Sequence, residues 1–326
     1  MKKTKTHIFM DSKTNILEKL NPEDLGKFSI IVAHPDDETL FASSLVQYAN
    51  EIIICFSKNE LEKKISYGRD ELKKKFLLDN ATFLELTEST KYIASAKDSK
   101  ISNYGLFAIN KNHTESVLRF LKKNKGFQNT SNLMSSIIKD SLKGKESVIT
   151  HSPWGDYGNI EHINVFESTF KACQSIGVAL YCFGYSSQYT YRHMREYLDN
   201  SRPDSILTLK TNKLIFKELE ALYKSKNCWT WYENYILPTE ETFIKLFPQS
   251  ATDELKSFGK RIKINIINVR DLKLKSYSLQ VNLNNHLKSL FIINYYNFMN
   301  KFFYYISSNF RISLKNAVLK IVKKIF

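Results

Sequence analysis

Four ionisable or metal-binding side chains crowd into His34-Pro35-Asp36-Asp37-Glu38, directly after an apolar run from Phe28 to Ala33 that only Ser29 interrupts. His34 and Asp37 lie three residues apart. At that spacing an imidazole nitrogen and a carboxylate oxygen on one turn can converge on a single divalent cation, and zinc suits such a nitrogen and oxygen set. Asp36, between them, can point elsewhere and act as a general base toward water activated by the metal. A plainer reading also fits these residues: Asp36 or Asp37 caps a helix N-terminus and His34 is only hydrogen-bonded.

The run before His34 lacks alternation between polar and apolar residues, which predicts a strand covered on both faces of a parallel sheet. Pro35 forbids simple continuation and pushes His34 toward extended geometry, so the carboxylates fall on a tight turn at the strand's carboxyl end. Open α/β sheets bind their ligands there. Ser43 to Tyr48 reads as the helix that follows, its N–H groups directed at the site. Glu51 to Phe56 is a second buried strand, which makes a right-handed βαβ unit. Ser147 to Thr150 is a further strand, delivering a second group of ionisable residues, His151 to His162, to the same sheet edge. His162 opens a helix through Val165, Phe166, Phe170 and Cys173. From there it can reach a metal held at neighbouring strand ends, or serve as a core or capping histidine.

The stretch Ala33-His34-Pro35-Asp36-Asp37-Glu38 resembles the first signature of the PIG-L/LmbE-type zinc-dependent de-N-acetylases. Thr150-His151-Ser152-Pro153-Trp154-Gly155-Asp156-Tyr157-Gly158-Asn159-Ile160-Glu161-His162 looks like the second, in the right order. The resemblance implies a Rossmann-like domain, with zinc or another divalent cation held by His34, Asp37 and His162 and with Asp36 as base. It implies hydrolysis of the acetamide of an N-acetylated amino sugar such as N-acetylglucosamine, free or carried on a nucleotide, lipid or glycan. Tyr157 then helps to stabilise the oxyanion, and Arg69 falls where the family commonly has a substrate-contacting arginine, though a solvated helix residue beside Lys73 to Lys75 is the competing reading. One departure stands out. Asn159 occupies the catalytic position where the family usually has histidine, and Glu161 stands where aspartate is common. Asparagine can donate a hydrogen bond but carries no charge at neutral pH. His151 is the imidazole left to compensate near the substrate, unless it is a structural group at a strand end. A catalytically weakened glycan-binding or peripheral membrane-binding relative is therefore the alternative to an enzyme, although a pure binder has no need of Asp36.

Elsewhere the pattern predicts a short helix at Ile16 to Leu20, a helix over Tyr67 to Phe83, a strand at Lys91 to Ala96, and amphipathic helices over Thr114 to Lys123 and Leu133 to Leu142. Thr114 caps the first of these, and Asn124 to Thr130 is a polar loop between them. Val178 to Cys182 reads as a strand and Lys213 to Lys224 as a helix. Tyr185, Tyr189, Tyr191 and His193 form an aromatic loop suited either to stacking on a sugar or to packing. The aromatic cluster from Cys228 to Tyr235 is a lid or a packing seam; the resemblance fades there.

Whole-chain properties bound the rest. The 326 residues are 43% hydrophobic with few Gly and Pro, so the chain folds throughout. The expected class is α/β, a mostly parallel sheet flanked by helices over residues 1–255, followed by a basic, aromatic-rich extension over 256–326. Four scattered cysteines without metal-type spacing read as reduced core thiols of a cytoplasmic protein. No secretory leader and no membrane-spanning apolar stretch is apparent. Residues 260–267 alternate basic and apolar side chains and read as an edge strand. After Asp271 no acidic residue follows. Leu314, Val318, Ile321, Val322 and Ile325 fall on one helical face ringed by lysines. Such a helix suits an anionic membrane on its cytoplasmic face, or docks on the protein's own core. A net charge of +15 and a pI near 9.4 favour phosphate-rich partners, but no nucleic-acid-binding motif accompanies them.

Overall fold

The computed structural model describes residues 18–60, 62–89, 101–102, 105–106, 111–201, 205–231, 235, 237–247, 261–267 and 277–282. Its strands are β1 (Glu18–Leu20), β2 (Phe28–Val32), β3 (Glu51–Lys58), β4 (Ala81–Thr87), β5 (Ile101–Ser102), β6 (Gly105–Leu106), β7 (Ser147–Thr150), β8 (Ala179–Phe183), β9 (Tyr185–Ser187), β10 (Ser205–Lys210), β11 (Glu240–Phe247), β12 (Arg261–Ile267) and β13 (Tyr277–Asn282). The helices are α1 (Asp37–Ala42), α2 (Lys63–Lys73), α3 (Lys111–Lys123), α4 (Lys125–Ser141), α5 (Ile160–Ile176), α6 (Tyr191–Ser201) and α7 (Lys213–Ser225).

Eight strands form one sheet in the order β1-β10-β11-β8-β7-β2-β3-β4. The five from β8 to β4 are all parallel, and β11 enters antiparallel to both β8 and β10. The α/β class and mostly parallel sheet expected from the sequence are therefore present. The chain leaves β2 toward β3 and β4 on one side and returns through β7 and β8 on the other. Their order reverses between β2 and β7, the place where parallel sheets open a crevice at their carboxyl ends. Every residue of β2 is buried. Ile31 and Ala33 pack on one face with Met134 and Ile138 of α4 and Val165 and Phe166 of α5. Ile30 and Val32 pack on the other with Leu40 and Phe41 of α1 and Phe216 of α7. Cover on both faces explains why this strand shows no alternation in sequence.

Several elements differ from expectation, each for a local reason. The helix expected over Ser43 to Tyr48 starts at Asp37 and ends at Ala42; Ser43 and Ser44 lie in the following turn, where their N–H and O–H groups serve Glu241. The helix expected over Tyr67 to Phe83 stops at Lys73, the chain turns at Asp79-Asn80, and the β-branched and aromatic residues Thr82, Phe83 and Thr87 enter β4. The expected polar loop at Asn124 to Thr130 is the start of α4, because the Asn124 side chain caps it by accepting from the Phe127 N–H at 3.2 Å. Thr114 lies inside α3 rather than at its start. Glu18 to Leu20 is a strand, where a helix was expected, because it pairs with β10. The aromatic loop after β8 is instead β9 and the start of α6, and Tyr185 and Tyr191 are fully buried, which answers packing rather than stacking.

The basic stretch at 260–267 is not an edge. β12 lies between β13 and β9, and Ile264, Ile266 and Ile267 are buried in the core. The Asn265 side chain donates to the Glu240 carbonyl at 2.9 Å. The strand that opens the expected extension is thus integral to the body. The strand expected at Lys91 to Ala96 and the amphipathic segment near Leu314 lie outside the described residues. All four cysteines are buried and free, and among the described residues no helix is long and apolar enough to cross a membrane.

Candidate metal centre

The turn after β2, the start of α1 and the first turn of α5 bring His34, Asp37 and His162 together. One donor atom from each lies within 4.8 Å of the others. Asp37 Oδ2 is 3.3 Å from His34 Nδ1 and 3.4 Å from His162 Nε2, and it accepts the His34 backbone N–H at 2.7 Å. His162 Nε2 is buried and has no hydrogen-bond partner. A buried ring nitrogen left without a partner is costly unless something else takes its lone pair.

The remote nitrogens of both histidines are held by carboxylates. His34 Nε2 meets Glu161, whose other oxygen accepts the Ser89 hydroxyl at 2.7 Å. His162 Nδ1 meets Asp156 Oδ2 at 2.8 Å, and His151 Nδ1 meets the same oxygen at 2.6 Å. The Ala33 N–H donates to His151 Nε2 at 2.8 Å, so the His151 proton sits on Nδ1. The two imidazoles stack 3.7 Å apart. Imidazoles oriented in this way by carboxylates, with one nitrogen of each turned inward, are the usual arrangement around a bound metal. The donor set and the unpartnered His162 nitrogen fit a zinc-like divalent ion.

Backbone geometry makes this possible. Asp156 has φ 55° and follows Gly155 at φ 68°, where a side chain's Cβ would lie 2.3 Å from the Asn159 carbonyl oxygen. Only glycine allows the chain to close so tightly and return at once to α5. Asn159 then caps α5, its side-chain Oδ1 accepting from the Glu161 N–H at 2.8 Å and the His162 N–H at 3.4 Å. Its amide nitrogen donates to the Tyr157 hydroxyl at 3.2 Å. The residue that departs from the resembling family is therefore the cap of the helix that carries His162.

Electrostatics separate the acidic groups. Burial opposes ionisation of Asp37, but His162 and His151 outweigh it and hold its pKa well below the usual carboxylate range. Asp36, only 2% exposed, is pushed up to about 8 by burial and by the neighbouring Asp37. Glu38 is raised to about 7 by burial. Burial and His151 lower His162 to about 4, which keeps its imidazole neutral. Burial works against a charged His34, yet Glu161 and Asp37 raise its pKa well above 6.5.

The other expected site residues fall as follows. Tyr157 is buried with its ring 5.2 Å from that of His162 and 5.2 Å from Trp231. Arg69 is buried, not solvated, and pairs with Glu88, which also accepts from Asn59 at 2.8 Å. His151 is fully buried with both ring nitrogens engaged by protein groups. Three further residues join the site without a role having been read for them. Asp156 and Glu161 lie within the second motif, and their spacing from the histidines is a usable signal. Thr230, which donates to Asp36 from 194 positions along the chain, lies within the aromatic cluster Cys228 to Tyr235, where the sequence marks the neighbouring aromatics rather than the threonine.

No protein-family model matches the chain, and no curated protein matches its sequence. Solved structures resemble it remotely. A deacetylase–teicoplanin complex from the biosynthesis pathway of teicoplanin is 11% identical with a TM-score of 0.42, covering 67% of this chain and 97% of that one. The zinc-inhibited form of a teicoplanin deacetylase is 10% identical with a TM-score of 0.41, over 67% and 97%. A 4-carboxy-2-hydroxymuconate hydratase from Pseudomonas putida is 14% identical with a TM-score of 0.33, over 68% and 97%. Similarity this remote assigns no function.

Proposed function

We propose that this protein is a divalent-metal-dependent amide hydrolase that removes the acetyl group from an N-acetylated amino sugar or its conjugate. The observation that carries the reading is the convergence of His34, Asp37 and His162 beside Asp36, with the unpartnered nitrogen of His162 turned inward. Zinc, when bound by His34, Asp37 and His162, supplies Lewis acidity toward an amide carbonyl and toward water. Asp36 takes the proton of the attacking water and returns it to the departing amine nitrogen. Tyr157 donates to the former carbonyl oxygen in the tetrahedral intermediate, held in place by Asn159. Arg69, buried and within the electrostatic reach of Asp36, is read as the arginine that contacts the substrate, and His151, stacked on His162, keeps that imidazole in line.

The products are a free amino sugar and acetate. The basic segment 256–326 is proposed to bring the enzyme to an anionic membrane surface from the cytoplasm, which suits a lipid-linked substrate. Departure at Asn159 favours one second reading, a relative that binds the glycan and turns it over weakly. Acetate release from a panel of N-acetylhexosamine conjugates, with zinc added, tests both. Release that Asp36→Ala abolishes supports the hydrolase. Stoichiometric zinc binding and glycan binding without acetate from any conjugate would leave the binding reading.

A further inference from the structure

Asp36 is held from two directions by one distant stretch of chain. Its backbone adopts φ 105°, a conformation that a residue with a side chain rarely takes and that persists only where surrounding contacts over-determine it. On the carboxylate side, the Thr230 hydroxyl donates to Asp36 Oδ2 at 2.7 Å and the Thr230 N–H donates to the same oxygen at 3.2 Å. On the backbone side, the Asp36 N–H donates to Glu38 Oε2 at 3.2 Å, and Glu38 Oε1 accepts the Tyr223 hydroxyl at 2.8 Å. The two ends meet: the Cys228 N–H donates to the Tyr223 carbonyl at 3.1 Å, closing a ring of contacts from Tyr223 through Thr230 to Asp36, Glu38 and back. This stretch is itself pressed against α2. A Cβ at Gly68 would lie 2.2 Å from the Lys226 carbonyl oxygen, so glycine there is what lets the two backbones approach.

We propose that Tyr223–Thr230 is a positioning device for the proton-transfer residue, with Thr230 and, through Glu38, Tyr223 as positioning residues that fix which oxygen of Asp36 works. Both Thr230 donors occupy Oδ2, so Oδ1 is the oxygen presented for proton transfer. A free carboxylate would interchange its oxygens by rotation about its own bond; this one is pinned. The proposal rests on reading Asp36 as the base.

Thr230→Val removes the hydroxyl donor at nearly constant shape, and Thr230→Ser restores it. In the zinc-loaded full chain we expect Thr230→Val to lower kcat by about 10–100-fold with KM unchanged, since small displacements of a reacting group have that effect; Thr230→Ser stays near the parent. Equal kcat for the valine variant, or a serine variant as impaired as valine, would overturn the proposal. A second readout does not depend on turnover. In protein labelled at aspartate Cγ, the Asp36 carbon resonance, identified by its loss in Asp36→Ala, should move in Thr230→Val and stay in Thr230→Ser. An unmoved resonance in the valine variant defeats the proposal even if no conjugate is ever hydrolysed, whereas absent acetate with a moving resonance defeats only the functional reading. If the valine variant does not fold, Tyr223→Phe reports the same resonance from the other end of the ring, with the same expected and disqualifying results.

Discussion

At the scale of single residues, the candidate centre is a problem of where protons reside before a metal arrives. In the metal-free protein Glu161 and Asp37 overcome the burial that disfavours the His34 cation and raise its pKa well above 6.5, which favours the protonated imidazole. His162, at about 4, is already neutral, and Asp37 is already ionised. Asp36, pushed up to about 8 by burial and then by the charge of Asp37, holds a proton near neutral pH, and a bound cation that offsets the Asp37 charge favours release of that proton, leaving a base. Metal binding must expel the His34 proton, and the sign follows: affinity rises with pH until the raised His34 pKa is passed. We expect zinc uptake near neutral pH to release between about one and two protons, the second from Asp36. Calorimetry in buffers of differing ionisation enthalpy counts them, and Asp36→Ala should remove the second. Zinc binding without proton release would contradict this account. Asp156 offers a separate check, since one of its oxygens orients two imidazoles. Asp156→Ala should weaken zinc about 10–100-fold, read by competition with a chromogenic chelator. Of the three converging residues, His34 and Asp37 were legible from their spacing on one turn, whereas His162 was grouped with them through the resemblance of the second motif. Asn159 was legible only as a departure: its work as a cap depends on where α5 begins, which the apolar pattern alone does not fix to a residue.

At the scale of elements, the turn after α1 shows why some expectations failed. Glu241, fully buried on β11, accepts the N–H and O–H of Ser43 at 3.0 and 2.6 Å and the N–H of Ser44 at 2.9 Å, as well as the Ser44 hydroxyl. These bonds end the helix that local pattern extends through Tyr48, and they join residues nearly two hundred positions apart, where no sequence periodicity reaches. Strands buried on both faces were readable as continuous apolar runs, as β2 and β3 show. β4 was not, because its first residues, Ala81 to Phe83, continue the apolar spacing of α2 closely enough to pass for the end of that helix. Glu241→Ala leaves four buried donors facing a void. Unsatisfied donors cost about 1–3 kcal/mol each, and water entering the space recovers part of that, so we expect a loss of about 3 kcal/mol in a denaturant melt. Because α1 carries Asp37, zinc affinity should fall with it. A variant as stable as the parent would show that the turn holds its shape without the carboxylate.

At the scale of the molecule, composition and packing draw different boundaries. The basic, aromatic-rich character that begins at 256 suggests an appendage, yet β12 pairs with β9 and buries Ile264, Ile266 and Ile267. Composition reports what solvent and partners meet, whereas the core is drawn by register, and three isoleucines spaced among polar residues carry too little signal to reveal it. Burying such side chains is worth about 1.5–3 kcal/mol each, a large fraction of the roughly 5–15 kcal/mol that holds a domain folded. Removing residues 256–326 should therefore abolish cooperative unfolding, while a chain ending at Asn282 should melt as one unit and bind zinc like the full protein. The same pair of truncations separates address from enzyme. If the segment after 282, which contains lysines and no acidic residue, docks on anionic lipid, the chain ending at Asn282 loses its binding to phosphatidylserine vesicles and keeps its acetate release. Vesicle binding that survives the cut would move the basic address onto the folded body. A chain ending at residue 255 that still melts cooperatively would mean that β12 adds to a domain already complete.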